Sequence, residues 1–203
     1  MREYKEEDIA ACSRLAWEAW VAPEEPIPEG LPSPMEGYVR SFLMRSNWNY
    51  VVEDSSAIVA LFFGRIGRGA GKNGAFSNEL SMIPHFLLGA GDQHLPPTVI
   101  YHFFMTEFKV FVNVPRSDAE VNLIMVSRRL QRKGLGRQLM DRFVEAAKAA
   151  GCRLLTLYTD NQMSNWRFYE IYGFRKVATF HDNLTSYFAE TSADGVVYAL
   201  DLR

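Results

Sequence analysis

Only two cysteines, Cys12 and Cys152, occur in 203 residues, too few for a disulfide framework, and the opening residues lack the order of a secretory signal. Both are read as reduced thiols of a cytoplasmic protein. The four histidines, at 85, 94, 102 and 181, lack the close spacing of metal ligands, so no metal is assigned. No apolar run reaches the roughly 18 to 20 residues that span a bilayer, which predicts a soluble chain with no membrane segment. A net charge of −2 argues against a general nucleic-acid binder. Internal repeats and low-complexity tracts are missing too. What remains is one domain, residues 1–203, 48% hydrophobic and long enough to bury its own core.

What the chain does have is concentrated in EVNLIMVSRRLQRKGLG, residues 120–136. Val121, Leu123 and Met125 alternate with Glu120, Asn122, Ile124 and Val126, which predicts a strand with one apolar face. After Ser127 the run turns basic. Gln131, Gly134 and Gly136 then open a helix with apolar positions at Leu139, Phe143, Ala146 or Ala147, and Ala150, stopped by Gly151. A helix N-terminus presents unpaired N–H groups and a partial positive charge, and glycines let an anion approach them. Arg128, Arg129, Arg132, Lys133 and Arg137 either neutralise such an anion or form a solvated basic face.

Gln131-Arg132-Lys133-Gly134-Leu135-Gly136 fits the Gln/Arg-x-x-Gly-x-Gly/Ala pyrophosphate loop of the GNAT superfamily of acetyl-CoA-dependent N-acyltransferases, and the chain resembles that family here. Downstream, NWRFYEIYGF, residues 165–174, looks like its second motif of Asn, an aromatic pair and a terminal Gly-Phe. The resemblance implies an α/β (α+β) fold with a mixed, mostly antiparallel central sheet flanked by helices. It also implies acetyl-CoA as co-substrate and a small-molecule or peptide amine as acceptor. Homodimers are common in the family, but nothing in the sequence demonstrates one.

Around this centre, residues 1–4 read as a first strand, and Asp8 as the cap of a helix carrying Ile9, Cys12, Leu15, Ala16 and Trp20. Five prolines in residues 22–34 make a loop before a second helix at 35–44, where Tyr38 and Phe42 either pack or face the acceptor. Residues 50–53 and 57–65 read as a hairpin. Gly69-Ala-Gly71-Lys-Asn-Gly74 matches a dinucleotide fingerprint by letter only, without the alternating strands and helices that fingerprint needs. Compared with the compact family plan, about forty residues are inserted before the central strand, at about 67–117. A helix is expected at 77–88, either a helix or a strand at 98–112, and Phe103, Phe104, Phe108 and Phe111 form core, a lid or a dimer surface. The C-terminal third reads as strand 153–158, helix 164–172, strand 174–181, a long loop 182–194 that reaches towards the site, and strand 195–202.

In the resemblance, the central strand splays from its neighbour. The backbone of Ile124 and Val126 then holds the acetyl carbonyl and the pantetheine amide as an oxyanion hole. Residues 131–136, Gln131 to Gly136, hold the diphosphate. Tyr169 matches the tyrosine near the sulfur and is the candidate acid, with Tyr172 the competing phenol. Asn165 contacts the cofactor or caps the short helix. Glu120 stands eleven residues before Gln131, where some members carry a base. At roughly 3.3 Å per strand residue it lies about 13 Å from Ile124, so a water relay past Asn122 would be required. Its plainer role is to attract a cationic amine. Cys152, apolar in context, is no nucleophile. The expectation is direct transfer to a primary amine. A non-catalytic acyl-CoA sensor on the same fold, or an unrelated ligand, is the alternative.

Overall fold

A computed structural model describes residues 1–20, 34–55, 57–67 and 96–203 of the chain. The proline-rich loop, the glycine run beyond Gly67, the expected helix at 77–88 and most of the insertion lie outside the described residues.

The elements follow in the order β1 (Arg2–Glu3), a 3-10 turn (Glu6–Asp8), α1 (Ile9–Trp20), α2 (Pro34–Arg45), β2 (Trp48–Asp54), β3 (Ala57–Ile66), α3 (Pro97–Asn113) and β4 (Ala119–Val126). A second 3-10 turn (Arg128–Leu130) leads to α4 (Leu135–Ala149), β5 (Leu154–Asp160), α5 (Arg167–Tyr172), β6 (Arg175–His181), α6 (Asn183–Ala189) and β7 (Asp194–Asp201). The strands form one seven-stranded sheet in the order β1-β2-β3-β4-β5-β7-β6. Every pairing is antiparallel except β4 with β5. This is the mixed, mostly antiparallel sheet expected, flanked by helices. No helix among the described residues is long and apolar enough to cross a membrane.

Strand β3 is apolar without a break from Ala57 to Gly64 because both faces of the sheet are covered there. Ala60 and Phe62 face α4, whose Leu139, Met140, Phe143 and Ala147 are buried against them. Leu61 and Phe63 face the opposite layer, with Cys12, Leu15 and Ala16 of α1 and Val39 of α2. A third cluster sets Val110 of α3 and Val114 against Val197 of β7. The stretch at 98–112 is thus helical, and its inner face covers the β6–β7 half of the sheet.

Asp8 does not cap α1. It closes the 3-10 turn instead, accepting from Lys5 N and from two Arg2 nitrogens, each at 2.7 Å. The loop at 182–194 contains α6, capped by Asp182, which accepts from Thr185 N. The single apolar face expected for β4 is also corrected. Phe63 pairs with Leu123 but Gly64 pairs with Val121, so Asn122 is an extra residue, a β-bulge. The bulge reverses the phase: Ala119 and Val121 join the α4 cluster, whereas Leu123 and Met125 join the α1/α2 cluster.

Candidate active site

The site begins with the one parallel pair. Strands β4 and β5 pair only from Ala119 with Leu155 to Val121 with Leu157. Beyond that point β4 follows β3 and β5 follows β7, leaving a wedge between them. The hydrogen-bond phase fixes which β4 groups face it. Ser127 N donates to Val59 O at 2.8 Å. With Ala60 opposite Val126 and Leu61 opposite Met125, this makes Ala60/Val126 a non-hydrogen-bonded pair. Met125 therefore turns both backbone groups to β3. Ile124 and Val126 turn theirs the other way, into the wedge. Gln131 Nε2 reaches Val126 O from that side at 3.1 Å.

The loop closing one end of the wedge is held by two left-handed residues, Arg132 at φ 62° and Gly134 at φ 84°. Gly134 caps α4, and a Cβ added to it would meet nothing within 4 Å. Open space thus lies in front of the first N–H groups of α4. Of the five nearby cations, Arg129 is paired with Asp54 at 3.3 Å and Arg137 with Asp141 at 3.9 Å. Arg128, Arg132 and Lys133 make no ion pair among the described residues. They are exposed around the loop.

Helix α5 crosses the wedge opposite β4. It ends in Gly173 at φ 119°, whose N–H bonds to Tyr169 O and Glu170 O. The Tyr169 ring packs edge-to-face with Phe168 and Phe174 and tilted against Tyr198. The neighbouring phenols are committed: Tyr172 donates to Asp141 at 2.7 Å, Tyr198 to Glu170 at 2.9 Å, and Tyr158 to Asp182. Tyr169 lines the cleft, and its hydroxyl is in none of these bonds. Burial, then the charge of Asp160, pushes its phenol above the ordinary value. Asn165 also lines the cleft, and its side chain does not cap α5.

The other end of the cleft is built by α2, α3 and α6, which contribute Tyr38, Phe42, Arg45, Phe103, Phe104, Glu107 and Phe188. Helix α3 is held to α6 by a buried network in which Asp182 accepts from Thr106 Oγ1 at 3.0 Å and from Thr185 Oγ1 at 2.9 Å. Leu184 N donates back to Thr106 at 3.0 Å. Tyr38 and Phe42, rings 4.9 Å apart, both pack and line the cleft. Phe108 is exposed and outside it. The whole cleft measures about 1480 Å³, above the roughly 300–1000 Å³ of a single small-ligand pocket.

Ile124, Val126, Gln131, Arg132, Gly134 and Gly136 therefore meet Asn165 and Tyr169 at one cleft. Lys133 stands exposed in the same loop, and Leu135 packs against the α4 core. Glu120 is not brought in. The bulge at Asn122 puts it on the sheet face opposite the side chains of Ile124 and Val126, and it is absent from the lining. Asn122 points to α2, donating to Ser46 Oγ at 2.8 Å and Arg45 O at 3.3 Å. The sequence reading missed Glu107 and the α6 residues. A carboxylate four residues after Phe103, on an otherwise apolar helix face, was the available signal. Both cysteines are buried and free; burial pushes the Cys12 thiol up to about 12 and raises Cys152. No cluster of three or more metal-ligating side chains occurs among the described residues.

The mixed sheet is split at its one parallel pair, with the glycine loop and the α4 N-terminus at the split. The family model described as the acetyltransferase (GNAT) family matches residues 100–174, from within α3 through α5. Solved structures agree over nearly the whole chain. The ribosomal-protein-S18-alanine N-acetyltransferase from Escherichia coli superposes with a TM-score of 0.56 at 13% identity, covering 99% of this chain and 92% of that one. An N-acetyltransferase from Staphylococcus aureus Mu50 gives 0.55 at 16% identity, covering 100% and 97%. An aminoglycoside 6'-N-acetyltransferase complexed with coenzyme A gives 0.56 at 12% identity, covering 100% and 96%. No curated protein matches the sequence. Residues 100–174 thus match the GNAT family model, and the chain shares its fold with these acetyltransferases.

Proposed function

We propose that the protein transfers an acetyl group from acetyl-CoA to a primary amine by direct attack within a ternary complex. The observation that carries this is the wedge, in which Ile124 and Val126, whose backbone no neighbouring strand pairs on that side, line one cleft with Tyr169. The residues present suit a diphosphate-bearing thioester. The α4 N-terminus and the open space at Gly134 suit the diphosphate, with Arg128, Arg132 and Lys133 to neutralise it. The edge of β4 suits an amide-containing arm. The co-substrate supplies an activated acyl carbon and a thiolate leaving group.

In this reading, the N–H groups of β4 stabilise the carbonyl oxygen as it gains charge. A bond forms from the neutral amine nitrogen to the acyl carbon, the carbon–sulfur bond breaks, one amine proton passes to water, and Tyr169 delivers its proton to sulfur and regains one from water. Burial raises the phenol, but the same desolvation raises a thiolate beside it, so the proton transfer is not made harder overall. Glu120 takes no part. A non-catalytic sensor would have no use for an uncommitted phenol at that point, which favours the enzyme.

Two measurements test the reading. Calorimetric titration with acetyl-CoA should give saturable binding. Tyr169→Phe should leave that affinity unchanged while lowering amine-dependent thiol release by about 10²-fold or more. Tyr172→Phe, which removes only the bond to Asp141, is the control. Absence of binding in folded protein refutes the proposal, and equal turnover in Tyr169→Phe removes the acid role.

A further inference from the structure

Among the described residues, the end of the cleft away from the glycine loop is walled largely by phenyl rings and carries one carboxylate, Glu107. Phe42 of α2, Phe103 and Phe104 of α3 and Phe188 of α6 present phenyl rings to it. Glu107 lies on the same face of α3 as Phe103, one turn on, and its side chain is 13% exposed. Among the described residues its only partner is Arg45, at 3.4 Å. That is well beyond the roughly 2.7–2.9 Å of a tight charge-assisted bond, so the carboxylate keeps capacity for a second donor. Its charge is felt by the phenols of Tyr38 and Tyr158, which line the cleft from α2 and β5. The other acid in the described lining, Asp160 on β5, has one oxygen committed to the backbone. Its Oδ1 accepts from the backbone of Gln162, Met163 and Ser164.

We infer that the acceptor is an amine carrying one ammonium on an aromatic or apolar body, an arylalkylamine in chemical class, with its ammonium on Glu107 and its body against the phenyl walls. This rests on the acyltransferase reading for what happens to the amine, but not for its binding. A polyamine or an aminoglycoside brings several ammonium groups. One carboxylate serves one of them, and the others would lose their hydration against phenyl rings while facing Arg45. An aromatic amine instead removes its ring from water where the cleft is already apolar.

The test is calorimetric titration of the full chain at pH 7 with phenethylamine and, separately, with spermidine. Phenethylamine should bind saturably and at least about tenfold more tightly than spermidine. Glu107→Gln should weaken phenethylamine by about tenfold to a hundredfold, the value of a hydrogen bond to a charged group. Phe104→Ala, whose half-buried ring touches only Phe103 among the described aromatics, should weaken phenethylamine and leave spermidine unchanged. Spermidine binding as tightly as phenethylamine, or unchanged phenethylamine affinity in folded Glu107→Gln, overturns the inference. If phenethylamine binds as stated and acetyl-CoA does not, the acyltransferase reading fails and the amine site stands. If acetyl-CoA binds and phenethylamine does not, the reverse holds.

Discussion

Two glycines in one loop should respond oppositely to substitution. At Gly134 the backbone is left-handed, φ 84°, and the space before the missing Cβ is empty. An added Cβ there meets no protein atom within 4 Å, so the main cost to the fold is the strain of a left-handed β-branched residue, about 1–2 kcal/mol. At about 2–4 °C per kcal/mol for a chain of this size, melting should fall by several degrees without loss of the native state. The added methyls occupy the approach to the α4 N–H groups. Losing one charge-assisted bond there costs about 1.5–3 kcal/mol, so acetyl-CoA affinity should drop at least about tenfold. At Gly136, inside α4, a Cβ would sit 3.8 Å from Phe168 and Val126, in ordinary contact. Gly136→Ala should melt at or above the parent temperature, since alanine is favoured over glycine in a helix by up to about 1 kcal/mol, and should bind acetyl-CoA nearly as well. Thermal melts and calorimetry read both. Folded Gly134→Val binding like the parent, or Gly136→Ala losing as much as Gly134→Val, would refute the placing of the diphosphate.

Burial raises the Tyr169 phenol, so its protonated, donating form persists through pH 9; turnover should rise as the acceptor amine deprotonates and show no fall assignable to Tyr169 below about pH 10. The Arg2 guanidinium holds the buried Asp8 carboxyl below its usual range; the stability this contributes is complete above about pH 4 and lost as pH falls through the lower folded value. Melts from pH 7 to 2 should show a shallower acid loss for Asp8→Asn than for the parent. Gly64→Ala would set a Cβ 2.6 Å from the Phe143 ring and 3.0 Å from Glu120 O, which predicts destabilisation of about 1–3 kcal/mol by chemical denaturation and a normal glycine loop.

The elements that position the loop were legible because each shows its period plainly. In α4, Leu139, Phe143 and Ala147 repeat at four and are buried as expected. In β4, burial alternates at every residue. That same regularity concealed the bulge at Asn122. With an apolar core on both faces, strict alternation looks the same whether or not the phase reverses midway. Glu120 was placed on the face of Ile124 for this reason. Helix α6, seven residues long, is too short to show a period, although Asp182 followed by Thr185 is a cap signature. Glu107 could not be placed at all without knowing that α3 lies over the wedge. Only Thr106, fixed to Asp182, and Lys109, donating to Asn183 Oδ1 at 2.6 Å, hold it there by polar contacts with the α6 segment.

The form of the cleft bears on whether the acyl group would pass through the protein. An acyl-enzyme needs an activated nucleophile. Among the described residues lining the cleft there is no cysteine and no histidine. Its hydroxyls are engaged elsewhere: Ser41 donates to Tyr38 O, Ser164 to Asp160 O, and Thr159 to Ser164. The phenols Tyr38 and Tyr169 are both raised above the ordinary value by burial, which makes each a donor rather than an attacking oxyanion. Meanwhile the glycine loop and the α2/α3/α6 wall lie at opposite ends of one continuous cavity, with the exposed backbone of Ile124 and Val126 between them. In the proposed reading, acetyl-CoA and the amine occupy different stretches of that one cavity. That arrangement favours direct attack by the amine over a relay through the chain.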